Sequence, residues 1–509
     1  MQLMFNNSSW EFWISNSNFY FQPGLTWPLR ASRFSPSFLP SGAIFSVRGY
    51  AIIAPKLHLR SLCSLCSSTI FDFLFKIMLG RFGYPEFIVG TLRLLPVPNL
   101  FNPDGEALGN LAESCFKLKC FIQTSNEIGH HFSILSSQQV EGLTLSEKFA
   151  NWRDKLCWIE RQLNNYQEEI NKISFRLYGV DGKDREEIEN MLSIQTKMEN
   201  DEIFDLDKEP QIDIISTNLV AFAQDQVSYV IGCNFGRWDV RMIERNHHQL
   251  LPLDQFDPLP ICSPAMLQGD DGLPLRQSPP DYPLGMVEDG ILVDDPDHSD
   301  DMVRRGRYVL EVIWKDRADA IEKEACEILG VKELRDYFRK PGKGGFWDVH
   351  ISRYSKSRRK APIYWLLQSS KKNYALWLYY HRLDKDLLFK ALVNYVEPKI
   401  RLETSRLETL RSQKATAGDS GKEGKRLAKE AERQEDFLSE LRDFEDKLRR
   451  AANLHLEPDL NDGVVLNIAP LHELVPWKEA KNYWNELLAG KYEWPAIGQQ
   501  LRQNGRVKC

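Results

Sequence analysis

At 509 residues, with 42% hydrophobic and 27% charged side chains, the chain exceeds one ordinary core and suits two to four soluble domains. A net charge of -6 excludes a uniformly basic nucleic-acid binder, so any such surface must come from local clustering. Nine cysteines, an odd and sparse set, argue against a secreted disulfide framework and for a reducing cytoplasm.

Residues 1–20 are aromatic and Asn/Ser-rich, without the basic start and sustained apolar run of a signal peptide. Residues 19–100 form a Pro-, Gly- and aromatic-rich module. Short β-like runs lie at 43–47 and 50–53, a helix at 71–78, and a further strand at 89–95, stopped by Pro96 and Pro98. The most apolar stretch, 69–79, contains Asp72 and Lys76 and is too short to span a bilayer. Residues 146–177 predict one long helix. Phe149, Trp152, Leu156, Ile159, Leu163, Tyr166, Ile170, Ile173 and Leu177 recur at spacings of three and four, a seam that must meet another helix, and Gly179 is placed to cap its end. A short helix starts at Asp184, with acids in its first turn.

Residues 213–398 predict a second mixed module. A helix leads into the run from Tyr229 to Asp239. The Pro-, Gly- and Asp-rich stretch 251–301 reads as a loop or linker. Helices resume at 300–314 and 318–329, and a Gly-rich turn lies at 340–345. Residues 396–454 are charged and helical, with a hairpin turn at 415–424. Their thin seam (Leu407, Leu410, Phe437, Leu441, Phe444, Leu448) is expected to pair with the helix at 146–177. The fold class is mixed α/β (α+β). The segments are 1–110, a target-recognition-like module; 111–200, a coiled-coil spacer helix; 201–395, the second mixed module; 396–455, the helical hairpin; and 456–509, the tail.

The strongest chemical signal lies between His350 and Arg382. Arg353, Lys356, Arg358, Arg359, Lys360, Lys371, Lys372 and Arg382 occur there with no acidic residue among them, interleaved with Tyr354, Tyr364, Trp365, Tyr374, Trp377, Tyr379 and Tyr380. Such cations contact phosphates through counterion release, arginine reads guanine edges, and aromatic rings can stack on unpaired bases. The plainer reading makes 363–367 and 374–380 core strands, or a strand and a helix, with buried rings. Arg30, Arg33 and Arg48 add basic positions in the first module. The acidic run at 294–301 reads as a solvated face.

Other chemistries are poorly supported. Cys63, Cys66, Cys115 and Cys120 with His130 or His131 have a zinc-like count, but the Leu/Ser surroundings of the first pair suit a buried helix, and no metal is expected. Residues 340–345 are not a Walker loop. No Gly-x-Ser-x-Gly elbow and no nuclease-like carboxylate cluster occurs.

Four stretches resemble the C-terminal half of large adenine-specific DNA methyltransferases from phage-defence systems of the BREX and DISARM kinds, which are related to single-chain type II restriction-modification enzymes. They are 24–46 closing at 95–98; 170–179 with 186–189; 235–241 with 258–260; and 354–365 with 376–383. Residues 462–467 and 470–471 belong to the closing part. The resemblance implies a target-reading, double-stranded-DNA-binding part with helical spacers. It implies S-adenosylmethionine for the complete enzyme but none bound by this chain, and a catalytic subunit or other defence proteins as partners. In that family an Asn/Asp-Pro-Pro-Tyr/Phe motif holds the flipped adenine. Here Ser278-Pro279-Pro280-Asp281-Tyr282 departs from it at both ends, so no catalytic residue is expected. The other reading is a non-catalytic coiled-coil assembly subunit.

Overall fold

Prolines at 23, 28, 36 and 40 cut the first aromatic stretch into short strands, because proline has no N–H to offer a ladder. β1 (Gly24–Pro28) lies between β2 (Ser37–Leu39) and β3 (Gly49–Ile53) in an antiparallel sheet. Helices α1 (Lys56–Cys66) and α2 (Thr69–Leu79) follow, α2 capped by the Ser68 side chain and ended by left-handed Gly80. This computed structural model describes residues 16–45, 49–202, 218–244, 254–356, 359–417 and 421–507.

The chain divides into two units. The first comprises Met1–Glu141, Phe149–Thr217 and Glu244–Pro264; the second comprises Gly142–Lys148, Asn218–Ile243 and Ala265–Cys509. In the first, Trp27, Phe34, Phe71, Phe75 and Phe87 form the core with Ile170 and Ile173. Asp72 and Lys76, the charges inside the apolar stretch, are buried as a 3.0 Å ion pair. Asp72 also accepts from Phe34 N and Lys76 donates to Ser32 O, which offsets their desolvation. Cys63 and Cys66 sit in this interior, and burial pushes the Cys63 thiol up to about 12.

The strand expected at 89–95 is instead the short helix α3 (Val89–Leu92). Strand-like pairing is already spent just before it, where Phe87 N bonds Leu29 O and Glu86 bridges Arg30. The next turn then brings Leu95 into the interior. α4 (Pro103–Gln123) starts at the Asn102 cap and lies along α1, with Ser61 and Ser64 donating to carbonyls of Gly105 and Leu108. α5 (Leu145–Leu177) matches the long periodic segment, and Gly179 closes it in the left-handed conformation. α6 (Gly182–Glu202) is longer than the short helix expected there.

In the second unit, α7 (Leu219–Asn234), β4 (Ile291–Val293), α8 (Met302–Trp314), α9 (Ala318–Leu329), α10 (Leu334–Arg339) and α11 (Phe346–Arg353) precede a two-stranded ladder, β5 (Ser355–Lys356) and β6 (Arg359–Lys360). β7 (Tyr364–Gln368) and β8 (Ala375–Tyr379) follow, and the sheet order is β4-β8-β7, all antiparallel. α12 (Leu387–Ala391) continues through a π-helical turn into α13 (Glu397–Ala417), and α14 (Lys422–Ala452) returns beside it. α15 (Val464–Ile468), α16 (Lys478–Leu488) and α17 (Ala496–Gln503) complete the unit. One hydrophobic core runs from Ala223 to Ala480, continuous across residue 395.

Two expectations change here. The seam of 396–454 is satisfied inside its own unit. Leu407 meets Ala431 and Leu438 between α13 and α14, while Leu441, Phe444 and Leu448 enter the main core. The stretch 251–301 is not a linker over its described part. Ile291, Leu292 and Val293 are fully buried in the sheet, where their apolar run pairs with one edge of β8. Among the described residues no single helix is long and apolar enough to cross a membrane.

Candidate nucleic-acid interface

The basic segment begins where α11 ends. His350, buried near that end, accepts hydrogen bonds at Nε2 from the N–H groups of both Ile363 and Tyr364, each at 3.0 Å. This clips the entry of β7 onto α11. The residues between must therefore loop out and come back. They do so as a ladder in register Ser355↔Lys360 and Lys356↔Arg359, closed at its base by Ala361 N to Tyr354 O at 3.0 Å and by the Ser355 hydroxyl on Ile351 O. Residues 355–356 and 359–360 thus form a short antiparallel ladder with a fixed root.

The root is braced by the turn after α7. Gly236 is left-handed (φ 68), and Arg237 N reaches Gly232 O at 2.9 Å, a Schellman-type closure. A Cβ on Gly232 would lie 2.2 Å from Trp238 Cδ1, so only glycine lets the indole cross the helix there. The Arg237 guanidinium lies 4.0 Å from the Trp238 ring centroid. It donates to the hydroxyls of Tyr354 and Tyr364. His350 stacks on Tyr364 and tilts against Tyr354, each at 4.7 Å between centroids. Asp239 is buried and takes a bidentate bond from Arg241, whose guanidinium is held above its ordinary pKa by that carboxylate.

The expected site residues divide by environment. Tyr364 (0% exposed) and Trp365 (1%) are core residues of β7, with the indole N–H on Pro362 O, so in this arrangement neither offers a ring face to a base. Arg353 pairs with Asp225 of α7. Lys356, Arg359 and Lys360 lie on the ladder. Arg358 and Arg48 lie outside the described residues. Lys371 and Lys372 are exposed at the far end of the β7–β8 hairpin, about 15 Å along from the ladder by strand rise. That turn is held by buried Glu440 of α14, which accepts from Lys371 N, Asn373 and Ser369. Arg382 is spent on the carbonyls of Leu275 and Arg276, and burial lowers its pKa. In the other unit, Arg30 pairs with Glu86, and Arg33 donates to Ser67 O with its pKa lowered by burial. Arg237, His350 and Glu440 were absent from the sequence expectation. Arg237 lies in a stretch that carried the family resemblance, while His350 and Glu440 left no local pattern.

Three acids of the run are buried rather than solvated. Asp294, Asp295 and Asp301 are each 5% exposed or less. Asp294 is shared by Arg335 and Arg339, Asp301 takes both amino groups of Arg335, and Lys399 bonds Asp295 at 2.7 Å, Asp297 at 3.1 Å and Glu403 at 2.8 Å. The Pro-Pro segment is also closed. Tyr282 OH accepts from Val240 N at 3.0 Å and donates to Trp238 O at 3.2 Å, and Ser278 Oγ accepts from Met286 N at 2.8 Å. Among the described residues no group of three or more His, Cys, Asp or Glu side chains is arranged to hold a metal ion.

No protein-family model matches the chain. It is 25% identical over 494 residues to the adenine-specific methyltransferase BrxX of Escherichia coli O9:H4 (strain HS), covering 91% of this chain and 37% of that protein. It is 23% identical over 485 residues to the adenine-specific methyltransferase PglX of Lacticaseibacillus casei (strain Zhang), covering 89% and 35%. The chain is homologous to adenine-specific methyltransferases of the BREX type. It spans little more than a third of the length of these curated relatives.

Proposed function

We propose that this chain is the DNA-handling, target-reading part of a site-specific adenine N6-methyltransferase of a phage-defence system, corresponding to a C-terminal portion of its relatives. Methyl transfer is done by residues outside this fold. The observation that carries the reading is the ladder of 355–356 with 359–360, in a basic stretch clipped to α11 by His350 and braced by Arg237. A short two-stranded ribbon rich in Lys and Arg suits a DNA groove, with its cations on phosphates and its arginines within reach of base edges. The fixed root orders the base of the ribbon in advance, so less freedom is lost on binding, which limits the entropic cost.

The described residues do not fit S-adenosylmethionine. The donor sites of such enzymes open at the end of a parallel sheet, at a strand-to-helix turn, whereas every paired strand here is antiparallel. Nor do they fit a flipped adenine at the Pro-Pro segment. Tyr282 is braced at its hydroxyl by the Trp238–Val240 turn, and Ser278 stands where an amide or carboxylate is needed. The complete enzyme would use the methyl donor, and this chain would present DNA to a separate catalytic part.

The test is paired. Purified chain should shift duplex DNA in a gel at low salt and release it as salt rises. With labelled S-adenosylmethionine it should transfer no methyl group to that DNA. Methylation by the chain alone would overturn the missing-centre half, and no DNA binding at about 50 mM salt would overturn the DNA-handling half.

A further inference from the structure

A cleft in the first unit lies between β2, α4 and the segment 254–264. It holds about 810 Å³, its open mouth included, and about 300 Å³ of that lies more than a water's radius clear of every wall. That is room for a small molecule. One side of the cleft is firmly held. Ser41 N and Oγ both donate to Phe256 O, at 3.0 and 2.9 Å. Arg60 donates to Asp254 at 2.9 Å, and the Asp254 N–H donates to the Asp257 carboxylate at 3.0 Å.

The walls combine two chemistries. Phe38 and Phe116 are half-buried, with their ring planes at 86° and their centroids 5.7 Å apart, so the two rings form a corner. Phe256, fully buried, meets the Phe38 ring at 5.2 Å and has the Lys56 ammonium 5.8 Å from its own centroid. His131 adds a further ring, and burial beside His130 lowers its pKa, which leaves it uncharged at neutral pH. Asp254 and Asp257 bring carboxylates, and no Lys or Arg is among the lining residues. Asp254 shares its charge with Arg60, whereas Asp257 meets no cation among the described residues.

These walls select by charge and by skin. A phosphate would face two carboxylates with no lining cation, so the cleft is not a DNA contact. A metal ion needs more oxygen ligands than two carboxylates supply. A neutral apolar molecule would suit the rings and strip water from Asp257 without compensation. A cation with an apolar surface suits both walls. Aromatic rings attract it through their quadrupoles and the carboxylate through its charge, and both attractions strengthen in a site partly closed to water.

We infer that this cleft binds a small quaternary or methylated ammonium, with its methyl groups against the Phe38–Phe116 corner and its charge beside Asp257. The inference does not rest on the DNA reading.

Calorimetric titration of the whole chain with choline, and separately with dimethylbutanol, its neutral analogue with carbon in place of the charged nitrogen, tests this. Choline should bind saturably, with dimethylbutanol about tenfold or more weaker. Asp257→Asn removes the charge but keeps an acceptor for the Asp254 N–H. It should weaken choline by about tenfold and leave dimethylbutanol unchanged. If that variant does not fold, Phe116→Leu, which keeps an apolar wall and loses the ring, takes its place with the same expectation. Equal binding of choline and dimethylbutanol, no saturable choline binding, or choline binding undiminished in the folded variant would overturn the proposal.

Discussion

The acidic run at 294–301 and the basic run at 353–360 look like counterparts in the sequence, and the fold treats them in opposite ways. Three of the acids are internal. Asp294, Asp295 and Asp301 meet Arg335, Arg339 and Lys399 inside the second unit, tying the end of β4 to α10 and α13. Of the bases, Lys356, Arg359 and Lys360 lie on a two-residue ladder closed at its root, and Arg353 pairs with Asp225. The density of like charge along a chain therefore does not tell a surface from a core. What decides is whether opposite charges arrive from distant sequence, and for the acids they arrive from 34 to 104 residues away.

The contrast can be broken at either end. The largest effect is expected at Asp294. Asp294→Ala leaves Arg335 and Arg339 short of a buried partner and should destabilise the second unit by about 3–5 kcal/mol in denaturant titration. A loss below about 0.5 kcal/mol would mean the acids are solvated after all. Next comes the hairpin root. His350→Ala strands two buried N–H groups and should cost about 2–3 kcal/mol. It should also weaken DNA binding through a loosened ribbon; full affinity in a destabilised protein would detach the root from function. Replacing Arg358, Arg359 and Lys360 by glutamine should leave stability within about 0.5 kcal/mol and weaken DNA binding by about 1.4–2.7 kcal/mol.

The smallest effect concerns pH. Burial opposes the charge on Asp297, but hydrogen bonds from Lys399 and Arg406 hold its carboxyl below the ordinary 3.8. A depressed carboxylate adds stability above the unfolded value and gives it up as pH falls through the folded one. Denaturation midpoints should therefore drop further below pH 3.8 in the native chain than in Asp297→Asn, by an amount kept small by the exposure of Asp297.

Much of this fold was legible in the sequence. Periodicity gave the helix expected at 146–177, Gly179 marked its end, and α13 ends at Ala417 and α14 starts at Lys422, within the stretch 415–424 where a break was expected. The plainer reading of 363–380 as buried core, left open between two strands and a strand with a helix, resolves into the two strands β7 and β8. The misses have a common cause. The acidic run, the seam of 396–454 and the apolar run at 291–293 all take partners far away in the chain, which no local window contains. The strand expected at 89–95 failed because its extended pairing had already been used at Glu86 and Phe87. At the candidate interface the cations were visible and their mounting was not. His350 is a lone histidine among apolar neighbours in sequence, and only the fold brings two peptide N–H groups to its ring.

The most direct measurement is the salt dependence of duplex-DNA binding for the native chain and the Arg358/Arg359/Lys360 glutamine variant side by side. The hairpin reading expects a steep native slope of log affinity against log salt. In the variant the slope should be shallower by up to about 2.7, roughly 0.9 for each lost phosphate contact. Two parallel lines of the same slope would contradict it.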